Sequence, residues 1–214
     1  MFGKIKGIFK AEGIVMTMIP ILICDLLIPL IAYILCIKYL ETDRDLLAGN
    51  IYFLIQMLTP IISTIWIYGM LTMYIDEKGN EIFYILKRNR LWDTLIIFLM
   101  YGFINLIPYF GYVKIDSSFK FCYIHMLIVY FLLAALAYMC SYLFKEVALA
   151  IIPNLCYCFG SVLFDFGKFG KLSFYEPNII NGNVITEKYI FYIIIAICFL
   201  IIGVILNKKY KDYN

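Results

Sequence analysis

Asp25 stands near the middle of an apolar run from Ile14 to Ile37, flanked by Pro20 and Pro29. An ionisable side chain at such depth in a bilayer is costly and is by default a site for a substrate or an ion. The bland alternatives are a protonated carboxyl or a polar neighbour such as Asn105 or Asn154. A second group follows in the next apolar run, where Gln56, Thr59, Ser63 and, at the margin, Thr64 fall on one helical stripe beside Pro60. Polar side chains in hydrocarbon turn toward other helices or toward a pathway. With Asp25 and Asn154 they form either a pathway or dimer face or a set of helix-packing contacts, and the sequence leaves both open.

Other chemistry is scarce. His125 is the single histidine, so a multi-histidine metal site is excluded, and a place near the outer membrane interface is expected for it. Seven cysteines mostly sit within apolar runs. Cys156 and Cys158 bracket Tyr157, but positions two apart point to different faces of a helix, so cysteine as a small buried hydrophobe is the expected role. No metal site is expected. A GxxxxGK[ST] phosphate loop is absent, since Gly170 and Lys171 are followed by Leu172, and no nucleotide-binding or catalytic residue is expected in this chain.

These residues are carried by a very apolar chain. Of 214 residues, 64% are hydrophobic and 15% charged, more apolar surface than a soluble domain of this size can hide. A helix crosses a bilayer with about 20 apolar residues. Apolar runs at 14–38, 51–75, 93–112, 122–144, 147–165 and 189–206 therefore predict an all-α integral membrane protein with six transmembrane helices in a single domain. The basic start and long first run lack a cleavage site and read as a retained span rather than a signal peptide. Lys145 and Glu146 alone separate the fourth run from the fifth, which requires a tight helical hairpin.

Residues 2–12 place Phe2, Ile5, Ile8 and Phe9 at helical spacing with Lys4, Lys6 and Lys10 on the remaining surface, the pattern of an amphipathic interfacial helix. With the N-terminus in the cytoplasm, that side holds Lys4, Lys6, Lys10, Lys78, Lys87, Arg88, Arg90, Lys145, Lys208, Lys209 and Lys211, eleven of the 18 basic residues. That bias predicts a multi-pass protein of the cell membrane with both termini cytoplasmic. The outer link, 166–188, interleaves Gly167, Gly170, Pro177 and Gly182 with Phe166, Phe169, Phe174 and Tyr175. It suits either short re-entrant or interfacial helices or a plain surface loop.

The segment from Met73 to Leu95 opens with Asp76, Glu77 and Glu81 and closes with Lys87, Arg88 and Arg90, an order that complements a helix dipole. Ile82, Ile85 and Leu86 share one face, with Phe83 beside it. Such a face is buried either on the membrane or in a partner's groove.

Here the sequence resembles the second-type ABC exporter permeases (ABC-2), whose cytoplasmic coupling helix lies between spans two and three. Glu77, Gly79, Glu81, Ile82, Leu86 and Arg90 follow that family's order and spacing, although Lys87 and Arg88 stand where it often has proline. The interfacial helix, six spans, the tight turn at 141–150 and the longer link at 166–188 extend the resemblance over the whole chain. The resemblance implies a permease subunit whose coupling segment, 76–91, meets a partner through Glu77, Gly79, Glu81, Ile82, Phe83, Ile85, Leu86 and Arg90. It implies a dimer with a second permease chain, homodimeric or heterodimeric, and two copies of an ABC ATPase subunit carrying ATP and Mg. Membrane lipid is the remaining partner; no nucleic acid is expected. Family members export antimicrobial peptides, drugs, lipids, polysaccharides or ions, and no residue selects among them. A small non-ABC transporter or accessory membrane protein fits the hydropathy equally, whereas an intramembrane enzyme would need a His, Glu or Asp cluster that is missing.

Overall fold

The computed structural model describes residues 14–39, 44–76, 90–163 and 172–211. The interfacial segment 2–12 and coupling residues Glu77, Gly79, Glu81, Ile82, Phe83, Ile85 and Leu86 lie outside them. Among the described residues every regular element is helical. The first rod is α1 (Ile14–Ile21), a wider π-helical turn (Leu22–Leu27) and α2 (Ile28–Tyr39). The π turn is explained by Pro29, which has no N–H to donate and whose ring collides with the carbonyl four residues back, that of Asp25. Ile28 N–H accordingly reaches back five residues to Ile23 O.

Next come α3 (Arg44–Ser63) and α4 (Ile65–Ile75), one long rod interrupted at Thr64. Pro60 removes an N–H from the ladder. Ser63 Oγ and Thr64 Oγ1 then donate to Pro60 O and Ile61 O at 2.7 and 2.8 Å, and such hydroxyl back-bonding bends helices. α5 (Arg90–Ile115) and α6 (Phe119–Phe144) follow, then α7 (Val147–Leu163), a short α8 (Gly182–Val184), a π-helical turn (Ile185–Tyr189) and α9 (Ile190–Lys211).

Among the described residues, five stretches are long and apolar enough to cross a membrane: Met18–Lys38, Asp45–Ile75, Arg90–Ile115, Phe119–Phe144 and Gly182–Lys209. α7 is apolar but shorter, at 17 residues. The chain is thus a multi-pass helical membrane protein. Leu22, Leu26, Leu30 and Ile37 on the first rod, Phe103 and Phe110 on α5, and Ile194 and Ile201 on α9 are exposed, as side chains facing lipid are.

α6 is the central post, touched by α3, α4, α5, α7 and α9. Its Ala134, Ala135 and Ala137 are buried, and small residues let helix backbones approach closely where lipid offers no hydrophobic drive to associate. The α6–α7 hairpin turns on Lys145, whose φ of 59° lies in the left-handed region, the usual way a helix ends abruptly.

Helix ends sort onto two faces. At one, Asp76 meets Val147, and Arg90 donates to Asn207 Oδ1 at 2.8 Å while its guanidinium stacks 5.5 Å over the Tyr74 ring. At the other, Gln56 brackets Glu176, accepting from its N–H at 2.7 Å and donating to its carbonyl at 2.9 Å. Glu176 also takes Lys188 Nζ and Tyr189 OH, so residues 172–189 are tied across that end.

Candidate functional site

Between α1, α4, α6 and α7 lies a cavity of 780 Å³. One wall is a ladder on α4 in which Thr64, Tyr68, Thr72 and Asp76 recur every fourth residue, the spacing that stacks side chains along one helix face. The ladder spans about 18 Å at 1.5 Å per residue. It runs from the break at Thr64 to the end of the bundle where Asp76 meets α7. Ile19, Ile61, Ile65, Leu133, Ile151 and Leu155 supply most of the apolar remainder.

Each polar group is held. Thr64 Oγ1 donates to Ile61 O, and Thr72 Oγ1 to Tyr68 O at 2.9 Å. Tyr68 OH donates to Ala150 O at 3.2 Å and accepts from Asn154 Nδ2. Asn154 Nδ2 also donates to Leu133 O at 3.2 Å. A carbonyl can only accept, which fixes the amide orientation and directs Oδ1 elsewhere; that oxygen has no partner among the described residues. Asp76 takes long hydrogen bonds of 3.3 and 3.4 Å from Val147 N–H at the start of α7. Partial burial raises its carboxyl above the ordinary value, the Val147 N–H counters this, and Glu146 adds to it.

Few of the residues singled out in the sequence meet here. Asn154 lines the cavity, with Thr64 at its upper edge. Gln56 is buried but spends its amide on Glu176, far along the rod. Ser63 is buried in its back-bond. Thr59 faces a separate void of only 20 Å³ beside Asn105, Tyr109 and Tyr130. Asp25 sits in the π turn, and neither carboxylate oxygen has a hydrogen-bond partner among the described residues. The suggested pairing with Asn105 or Asn154 does not occur: Asn105 Nδ2 donates to Tyr101 O, and Asn154 is committed as above. Arg90 is buried among α4, α5 and α9 rather than reaching outward.

His125, expected near the outer membrane interface, lies near the start of α6. It is fully buried, with Nδ1 2.9 Å from Tyr52 OH and its ring 4.4 Å from that of Tyr189. Tyr189, from the segment tied across that end, helps to bury it. Cys156 is exposed and Cys158 buried, as helical spacing requires. No group of three or more metal-binding side chains occurs among the described residues. Tyr68, Thr72 and Asp76 are the site residues that sequence reading missed as a set. Their signal was the fourfold repeat continuing from Thr64, obscured because Asp76 reads first as the opening of an acidic segment.

No family model, curated protein or solved structure matches the chain.

Proposed function

We propose that this chain is the permease subunit of an ATP-driven exporter of the ABC-2 type, working as a dimer above two ATPase subunits in the cell membrane. In this reading α7 is the sixth crossing, residues 2–12 form an interfacial helix, both termini are cytoplasmic, and 76–91 couples the spans to the ATPases. Catalysis belongs to the partner, which holds ATP and Mg.

The observation carrying the proposal is the anchoring of the described residues at the two ends of the coupling segment. Asp76 enters it and Arg90 leaves it, and both are fastened to other spans, Asp76 to α7 through Val147 and Arg90 to α9 through Asn207. A push on this segment is thereby delivered to four spans at once, α4 and α5 through the chain and α7 and α9 through these bonds, and Asp76 is also the end of the cavity's polar wall. Rigid-body rocking around a central cavity is the usual form of such transmission. The 17 residues of α7 rise about 25 Å. Its far end is beside the outer link, since Ser173 Oγ donates to Ser161 O at 2.9 Å.

The test is copurification with a candidate ABC ATPase, followed by ATP hydrolysis in lipid. Glu77→Lys and Leu86→Asp should each cut permease-dependent hydrolysis by about tenfold, the effect of roughly 1.4 kcal/mol, with the spans still folded. Hydrolysis equal to wild type in both variants refutes the coupling assignment.

A further inference from the structure

The cavity's two walls differ in chemistry as well as polarity. Among the described residues lining it, Asp76 alone carries a formal charge. The hydroxyl protons above it are already committed: Thr64 and Thr72 donate to carbonyls of their own helix and Tyr68 donates to Ala150 O. What remains on that wall is lone pairs, a column of acceptors ending in a carboxylate. Glu146, adjacent in sequence to Val147, adds negative charge close enough to influence Asp76; Lys145 on the same turn does not line the cavity. An anionic head would be repelled by the Asp76 carboxylate, whereas a cation bearing N–H groups satisfies both the charge and the acceptors. Ile65 beside the ladder, and Ile151 and Leu155 opposite it, offer nothing but apolar surface, and 780 Å³ is the size of sites that hold drug-sized molecules.

We propose that the cavity binds a cationic amphiphile, its protonated amine at Asp76 and Thr72 and its apolar body along Ile65, Ile151 and Leu155. The proposal names a substrate class for the permease reading, and rests on that reading only for the claim that the ligand is carried across the membrane.

Binding is measured with the full chain in phosphatidylcholine nanodiscs, using radiolabelled dodecylamine against empty discs, with dodecanol and dodecanesulfonate as competitors. Saturable binding is expected, displaced at least tenfold better by unlabelled amine than by the alcohol and not by the sulfonate. Asp76→Asn should weaken the amine at least tenfold while leaving the alcohol unchanged, and Ile151→Trp, which fills the cavity, should abolish both. Non-saturable uptake, competition by the sulfonate equal to the amine, or full amine affinity in Asp76→Asn overturns the proposal. Should that variant fail to fold, the competitor series on the wild type decides alone. No ATPase enters this assay, so amine binding combined with failure of any ATPase to copurify would refute the exporter reading and leave the site standing.

Discussion

At Gly203, α9 lies close against the central post. A Cβ added there would lie 2.5 Å from Tyr138 Cδ1 and 3.2 Å from the backbone Cα of Met139. The ring could swing, but the Cα moves only if the two helices separate. Overpacking of this kind costs about 1–3 kcal/mol, and in a membrane the lost close approach has no hydrophobic compensation. Gly203→Ala should therefore lower the thermal midpoint of the detergent-solubilised protein, read as the temperature at which half the monodisperse peak remains. Gly111, with nothing within 4 Å of an added Cβ, is the matched control. Gly111→Ala should hold or gain about 1 kcal/mol, because alanine is the better helix former. A residue-level reading of the sequence could not rank these two glycines, since both sit within apolar helices and differ only in what faces them.

The α6–α7 hairpin depends on one backbone conformation. Lys145 holds φ 59° and ψ 23°, a region that costs about 1–2 kcal/mol for residues with a Cβ and more for a β-branched one. Comparing Lys145→Gly with Lys145→Val removes the lysine side chain from both and leaves the backbone as the difference. The glycine variant should be the more stable by about 1–2 kcal/mol, measured by thermal midpoint; equal midpoints would place the turn elsewhere. The need for this hairpin was legible in the sequence because two charged residues separate two apolar runs. The helical, membrane-spanning class was legible for the same reason, being written in run length. The candidate site was less so. Helical spacing put Gln56 and Thr59 on a common stripe with Ser63, but spacing does not say which neighbour each will face, and Gln56 was claimed by the Glu176 backbone. The burial of His125 was not legible, because it depends on how the distant Tyr189 packs back onto that end.

At the scale of the whole molecule, the decisive quantity is the number of crossings, because it fixes the side on which each link emerges. α6 and α7 are joined by the turn at Lys145, and α7 ends near Ser161, whose carbonyl accepts from Ser173. Ser173 belongs to the segment that Gln56 and Lys188 hold at the opposite end of the bundle from Asp76. If α7 crosses, Glu146 and Asn181 lie on opposite sides of the membrane; if it does not, they share one. Single cysteines introduced at Glu146 and Asn181, with the native exposed Cys156 and Cys198 replaced by serine, separate these cases with a membrane-impermeant maleimide. Labelling of Asn181→Cys in intact cells, and of Glu146→Cys only after permeabilisation, is the expected pattern. The same experiment bears on the exporter reading, because Glu146 and Asp76 share a face through Val147. Glu146→Cys labelled from outside would carry the segment after Asp76 to the outer side, out of reach of any cytoplasmic ATPase.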